Sequence, residues 1–244
     1  MIRLLGFALC LCSVAFAQTT SNPTNASGAA QAPVQSQAAQ ENVAPSIALG
    51  TVRATHPIAN GLEIESENGR LQVTALQDDV IRVRATRANQ FAARYSYAVL
   101  PTPAGAQPSF AAKTQESADA VELDTAALRI RVDRRSSKVS FLGADGALIA
   151  GDSASITWRG DEFTVHRSMP EDEHYFGLGD KAGPLDHRNQ AFTMWNTDAY
   201  GWQESTDPLY KTLGFLLTLR KGMSYGIFLD STFRQHWDLG KESP

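Results

Sequence analysis

The sequence predicts an all-β protein, an antiparallel β-sandwich of many short strands, on three observations. Apolar and polar residues alternate with a period of two, turn dipeptides punctuate those runs, and no stretch carries a capped 3.6-residue apolar period over three turns. With 244 residues, 43% hydrophobic and 20% charged, the chain can build a large core, and its composition excludes wholesale disorder.

Residues 1–17 read as an export signal. Arg3 supplies the positive start, Leu4 to Phe16 form an apolar run of 13 residues, and Ala15-Phe16-Ala17 offers a small-x-small cleavage site. The run is too short to span a bilayer as a helix. A lipoprotein anchor at Cys10 or Cys12 is disfavoured because both lie inside the apolar run. Cleavage would start the mature chain at Gln18, in the bacterial periplasm or outside the cell. It would remove both cysteines, and with them any disulfide, Cys-ligated metal or thiol nucleophile. Residues 18–45 hold no aromatic residue and one charge, Glu41, which predicts a disordered linker. Asn25-Ala26-Ser27 within it matches a glycosylation sequon, a weak motif.

The sandwich is expected over residues 46–244. Leu62 and Ile64 alternate with Glu63 and Glu65, then Asn68-Gly69 marks a hairpin, then Leu71, Val73 and Ala75 alternate again. Ile81 and Val83 alternate with Arg82 and Arg84, and Leu128, Ile130 and Val132 with Arg129, Arg131 and Asp133. Ser136-Ser137-Lys138 predicts a turn before Val139 and Phe141; Ala144-Asp145-Gly146 and Arg220-Lys221-Gly222 predict two more hairpins. Arginine on one face and β-branched residues on the other describe strands with one wet side.

The net charge is −4, or −5 from Gln18 onward with 21 basic and 26 acidic residues. No basic run stands out, so neither a nucleic-acid footprint nor a polybasic membrane patch is expected.

Residues 171–212 break the alternation and concentrate Gly, Pro, Asp, Asn and aromatics. Loops this long in a compact domain are functional or disordered, and Trp195, Tyr200, Trp202 and Tyr210 argue for order. Aromatic faces stack on pyranose rings and carboxylates accept hydrogen bonds from sugar hydroxyls, so Asp198 among Trp195, Tyr200 and Trp202 suits sugar binding. The alternative is that Asp198 and Asn196 make an Asx turn with the aromatics packed beneath.

Other groups point less clearly to chemistry. Glu171-Asp172-Glu173 reads as a solvated acidic loop, and Asp207-Pro208 as the start of a turn. The five histidines, His56, His166, His174, His187 and His236, lack metal-ligand spacing, and no metal is expected. His174 and His187 could serve as general bases in an epimerase. Gly177-Leu178-Gly179 lacks the third glycine and the βαβ context of a dinucleotide loop, so no cofactor is expected.

Several pieces in this order carry a family resemblance. They are Glu173-His174-Tyr175-Phe176-Gly177-Leu178-Gly179-Asp180, Met194-Trp195-Asn196-Thr197-Asp198-Ala199, Thr206-Asp207-Pro208-Leu209-Tyr210-Lys211 and Gly226-Ile227-Phe228-Leu229-Asp230-Ser231. With Val80-Ile81-Arg82-Val83-Arg84 upstream, residues from about Gly61 to Pro244 resemble the N-terminal domain of glycoside hydrolase family 31, the α-glucosidase/α-xylosidase family.

The resemblance implies a galactose-mutarotase-like sandwich whose long loop reaches over the mouth of a (β/α)8 barrel, with Asp198 contacting sugar beside the scissile bond. It also implies that the catalytic aspartates, nucleophile and acid/base, lie in that barrel. No Trp-x-Asp-Met-Asn nucleophile motif occurs here, so no catalytic residue is assigned. The sandwich itself is expected to be incomplete at its C-terminal end. Asp180 stands where the family often has Glu, and Gly214 where Pro commonly precedes Phe215. The expectation is thus the sugar-binding N-terminal portion of an exported retaining α-glycosidase, inactive alone. A self-contained carbohydrate-binding module and a mutarotase-like epimerase are the alternatives.

Overall fold

The computed structural model describes residues 8–12, 45–93, 96–100 and 110–243. Residues 18–44 of the expected linker, its sequon, and residues 1–7 and 13–17 of the expected leader lie outside the described residues.

The described residues form strands and no helix, so no helix among them is long and apolar enough to cross a membrane. In chain order the strands are β1 (Ala8–Cys12), β2 (Ile47–Ala48), β3 (Val52–Ile58), β4 (Gly61–Ser66), β5 (Gly69–Gln77) and β6 (Val80–Thr86). Next come β7 (Lys113–Glu116), β8 (Ala120–Asp124), β9 (Leu128–Asp133), β10 (Val139–Gly143), β11 (Leu148–Arg159) and β12 (Glu162–Arg167). The last are β13 (His174–Gly179), β14 (Ala191–Met194), β15 (Thr212–Arg220), β16 (Met223–Asp230) and β17 (Gln235–Asp238).

One sheet runs β13-β15-β16-β1-β6-β5-β4-β3, the other β12-β11-β10-β9-β8-β7 with β2 beside β11, and β14 pairs with β17. Every described pairing is antiparallel except those of β1, which lies parallel to both β6 and β16. This strand falls within the stretch expected as a leader, so the sheet described here is that of the uncleaved chain.

Period-two alternation builds the core. Leu62, Ile64, Leu71, Val73, Ile81 and Val83 of the first sheet meet Val121, Leu123, Leu128, Ile130, Val132, Val139 and Phe141 of the second, all essentially inaccessible to solvent. Burying each such aliphatic side chain contributes about 1.5–3 kcal/mol before ordering entropy is counted. The opposite faces are wet. Arg129 pairs with Asp124 at 2.9 Å, and Arg70 with Glu63 at 2.8 Å and Glu65 at 2.7 Å.

The hairpin between β15 and β16 forms where expected, with Lys221 and Gly222 at positive φ of 45° and 77°. The hairpin between β4 and β5 is shifted by one residue from the expectation. Ser66 pairs with Gly69, so Glu67 and Asn68 occupy the turn and Gly69 opens the strand. The reason is spatial: a Cβ on Gly69 would lie 2.4 Å from the Thr86 carbonyl oxygen. The stretch expected to be irregular from 171 to 212 also needs correction, because it contains β13 and β14. A second, smaller core of Tyr175, Leu178, Phe192, Met194, Leu216 and Leu239 sits beneath these strands.

Candidate functional site

The candidate site is the loop of residues 195–211, between the end of β14 and the start of β15. The elements beneath it fix both of its stems. Lys181 donates through Nζ to the Thr193 carbonyl at 2.9 Å and lies 3.5 Å from Asp207. Asp207 in turn accepts the Thr193 amide at 2.5 Å. The Asn196 side-chain oxygen accepts from both the amide and the hydroxyl of Thr212, at 2.9 and 3.0 Å, and so bridges the two stems. Leu209 is buried, and the Tyr210 hydroxyl donates to the Ala199 carbonyl at 3.0 Å across the loop.

Lys181 carries this arrangement at an electrostatic cost. Its side chain is 1% exposed and its ammonium lies 5.4 Å from the centroid of the Phe192 ring. Burial pulls its pKa below the ordinary lysine value, while Asp207 and Asp180 act in the opposite direction. His187 packs edge-on against the same Phe192 ring at 4.8 Å and donates through Nε2 to the Gly177 carbonyl at 3.1 Å.

On this fixed base the tip residues point outward. Trp195 is 50% exposed, Trp202 51% and Tyr200 98%. Asp198 is exposed, and its carboxylate makes no ion pair or side-chain hydrogen bond among the described residues. The Asx-turn alternative does not hold for Asn196, whose oxygen is committed to Thr212. Chemically, the loop offers aromatic surface and two exposed acceptor carboxylates, Asp198 and Glu204, neither in an ion pair or side-chain hydrogen bond among the described residues.

The acidic run before β13 departs from expectation. Glu173 is not in solvent but 1% exposed, accepting from the hydroxyls of Tyr175 at 2.7 Å and Tyr225 at 3.1 Å. Burial first, and the Glu173 charge next, push both phenols above the ordinary tyrosine value. Asp172 does remain at the surface, paired with Arg220 at 3.3 Å and Lys221 at 3.0 Å.

The two histidines weighed as general bases do not form one site. His187 is buried with Nε2 committed to a backbone carbonyl, whereas His174 is half exposed and bonded to Asp186 at 2.6 Å. No cluster of three or more His, Cys, Asp or Glu suited to a metal ion occurs among the described residues.

Sequence reasoning missed Lys181 as a builder of the loop, and missed the partners that Asn196 and Tyr210 take, Thr212 and the Ala199 carbonyl. The signal for Lys181 was faint: a lone lysine directly after the Gly-Leu-Gly-Asp run.

Comparison with known proteins places this architecture. Residues 70–238 match the family model for the glycosyl hydrolase 31 N-terminal galactose mutarotase-like domain. Alpha-glucosidase 2 of Bacillus thermoamyloliquefaciens is 27% identical over 197 residues, which are 79% of this chain and 24% of that protein. An alpha-glucosidase of Saccharolobus solfataricus is 32% identical over 88 residues, 36% of this chain and 13% of that protein. Among solved structures, a GH31 dextranase of Flavobacterium johnsoniae, complexed with isomaltotriose, superposes with a TM-score of 0.73 at 26% identity. That match covers 81% of this chain and 24% of the dextranase chain. The GH31 alpha-xylosidase of Xanthomonas citri shares the fold, with a TM-score of 0.58 at 18% identity over 74% of this chain and 19% of its own. The chain thus spans about a quarter or less of the length of these relatives. Since the family model covers well over half of the 244 residues, the chain belongs to the glycosyl hydrolase 31 N-terminal galactose mutarotase-like domain family.

Proposed function

We propose that this chain is the active-site-flanking N-terminal portion of an exported retaining α-glycosidase, an α-glucosidase or α-xylosidase, and that alone it binds sugar weakly and cleaves nothing. The observation that carries this reading is the Asp198 carboxylate, exposed and uncommitted beside Trp195, Tyr200 and Trp202 on a loop whose stems are held by Lys181, Asn196 and Asp207. In the complete enzyme the loop would flank the sugar pocket, with Asp198 accepting a hydroxyl hydrogen bond and the rings giving an apolar wall. Both catalytic carboxylates would come from a (β/α)8 barrel in the same polypeptide. Export rests on Arg3, the apolar run to Phe16 and the Ala15-x-Ala17 site.

The test is a saturation-transfer NMR titration of the 244-residue protein with isomaltotriose and maltose. Weak saturable binding is expected, reduced about tenfold or more by Asp198→Ala, the magnitude of one charged hydrogen bond. Binding indifferent to that substitution, or glucosidase turnover by the short chain that the substitution abolishes, would overturn the reading.

A further inference from the structure

A second concave feature lies away from the candidate loop. In the first sheet β16, β1 and β6 separate β5 from β15, the strand at which that loop ends. Between the β4–β5 hairpin and the residues that follow β6, a cleft of about 400 Å³ opens. Its size falls within the range of small-molecule sites, roughly 300–1,000 Å³, but such sites are mostly apolar and this one is polar. Ile47 and Ala88 are its apolar side chains, and no aromatic ring lines it.

Bonds to the rest of the fold hold its walls in place. The Glu67 and Asn68 amides donate to the Thr51 and Leu49 carbonyls at 2.9 and 3.0 Å, and Asn68 Nδ2 donates to the Ala48 carbonyl at 2.9 Å. Ser66, 8% exposed, lines the cleft and is hydrogen-bonded to the Ser137 hydroxyl at 2.8 Å, which donates to the Gly50 carbonyl at 2.6 Å. On the other wall Arg87 donates to the Gly160 carbonyl at 3.2 Å, and the Ala88 amide to the Thr86 hydroxyl at 3.1 Å. Groups left uncommitted on these walls are both donors and acceptors. The Asn89 side chain makes no hydrogen bond among the described residues, and Arg87 keeps N–H groups beyond the one it uses. Asn68 keeps its Oδ1, and Glu67, paired with Arg53 through Oε1 at 3.3 Å, keeps Oε2.

We propose that this cleft is a second sugar-binding site, separate from the candidate loop, for a neutral oligosaccharide held through hydroxyl hydrogen bonds and not by ring stacking. The lining selects that class by elimination. Glu65 and Glu67 balance Arg70 and Arg87, so a lone anion meets two carboxylates and a lone cation two guanidinium groups. An apolar ligand would strip water from these polar groups and return no hydrogen bond. A neutral molecule whose hydroxyls both donate and accept satisfies both kinds of wall group. The inference goes beyond the functional reading above and takes from it only the choice of probe, an α-glucan oligosaccharide. With no aromatic platform, each hydroxyl bond merely replaces one to water, so the cleft fills at higher sugar concentration than the loop.

Amide proton–nitrogen correlation spectra of the isotope-labelled 244-residue protein, titrated with isomaltotriose and with maltose, read the cleft residue by residue. We expect saturable shifts of the Gly69 amide and of the Asn68 and Asn89 side-chain amides, persisting in Asp198→Ala. Arg87→Ala with Asn89→Ala should weaken the affinity read at Gly69 and Asn68 about tenfold or more. Asn89→Ala alone removes no bond of the fold, so it should weaken binding while leaving the melting temperature unchanged, which separates a lost contact from a lost fold. Sodium sulfate or calcium chloride at the same concentration should leave these groups unmoved. No saturable shift at them, shifts that vanish in Asp198→Ala, or equal shifts with sulfate or calcium would each overturn the proposal. The two readings fail separately. Sugar-induced shifts confined to residues 195–211 sink the cleft alone, and shifts confined to the cleft sink the role of the loop alone.

Discussion

Gly177, Leu178 and Gly179 hold positive φ in succession, at 112°, 64° and 88°. That unusual run breaks the register between β13 and β15 and drives Leu178 into the smaller core, where it is wholly buried. The two glycines have a steric role here. A Cβ on Gly179 would sit 2.4 Å from the Lys211 carbonyl and 2.9 Å from the Leu213 amide, at the foot of the candidate loop. Gly179→Ala therefore combines backbone strain with a clash against main chain that cannot move aside. The expected cost is about 2–4 kcal/mol, or roughly 5–12 °C in melting temperature for a domain of this size. Thermal unfolding followed by circular dichroism checks this, and a melting temperature within 1–2 °C of the parent would show that the bulge is not under strain.

At the scale of elements, β1 stands out as the one strand among the described residues that lies parallel to its neighbours. A chain beginning at Gln18 lacks it, and leaves β6 and β16 facing each other with rows of unpaired backbone groups. Residues 18–244 should then unfold at a lower temperature than residues 1–244, and amides in Arg82–Arg84 and Gly226–Asp230 should exchange with deuterium faster. Equal melting and equal exchange would mean that β1 adds nothing to the sheet. Elements were also the scale at which the sequence was most legible. Strands such as Leu128–Asp133 announce themselves because their alternation is a local property that burial on one face imposes. The β4–β5 register was not legible, because the Thr86 carbonyl that forbids a side chain at Gly69 belongs to another strand. Glu173 and Lys181 escaped for the same reason. Nothing within a few residues shows that Tyr225 or Asp207 will arrive to satisfy a buried charge. Asp198 and its aromatic neighbours stood out as candidates because polar and aromatic residues crowd one short stretch, whereas the supports beneath them are long-range.

For the molecule as a whole, acid stability is set by carboxylates of opposite tendency. Asp133 is held below the ordinary aspartate value chiefly by the Ser136 hydroxyl. For Asp186 and Asp238 burial acts upward, but His174 with the Tyr175 and Arg188 amides, and the amides of Lys241, Glu242 and Ser243, outweigh it. Asp152 goes the other way: burial raises it despite Arg167 at 3.1 Å and the Val139 amide at 2.8 Å. The signs follow from proton counting. Where the native pKa is depressed, the unfolded chain binds more protons, so stabilisation is complete above the ordinary carboxylate value and lost as pH falls below it. Where it is raised, as for Asp152, the contribution is present at low pH and lost as pH climbs through the native value. The protein should therefore gain stability steeply from pH 3 to about 5, with Asp152 damping any gain above pH 4. Asp152→Asn keeps an acceptor for the Val139 amide while removing the titration, so it should enlarge the difference in stability between pH 7 and pH 4. Urea unfolding of both proteins at the two pH values measures this difference. A difference in the variant equal to or smaller than that of the parent would mean that the Asp152–Arg167 pair, not burial, governs this carboxyl.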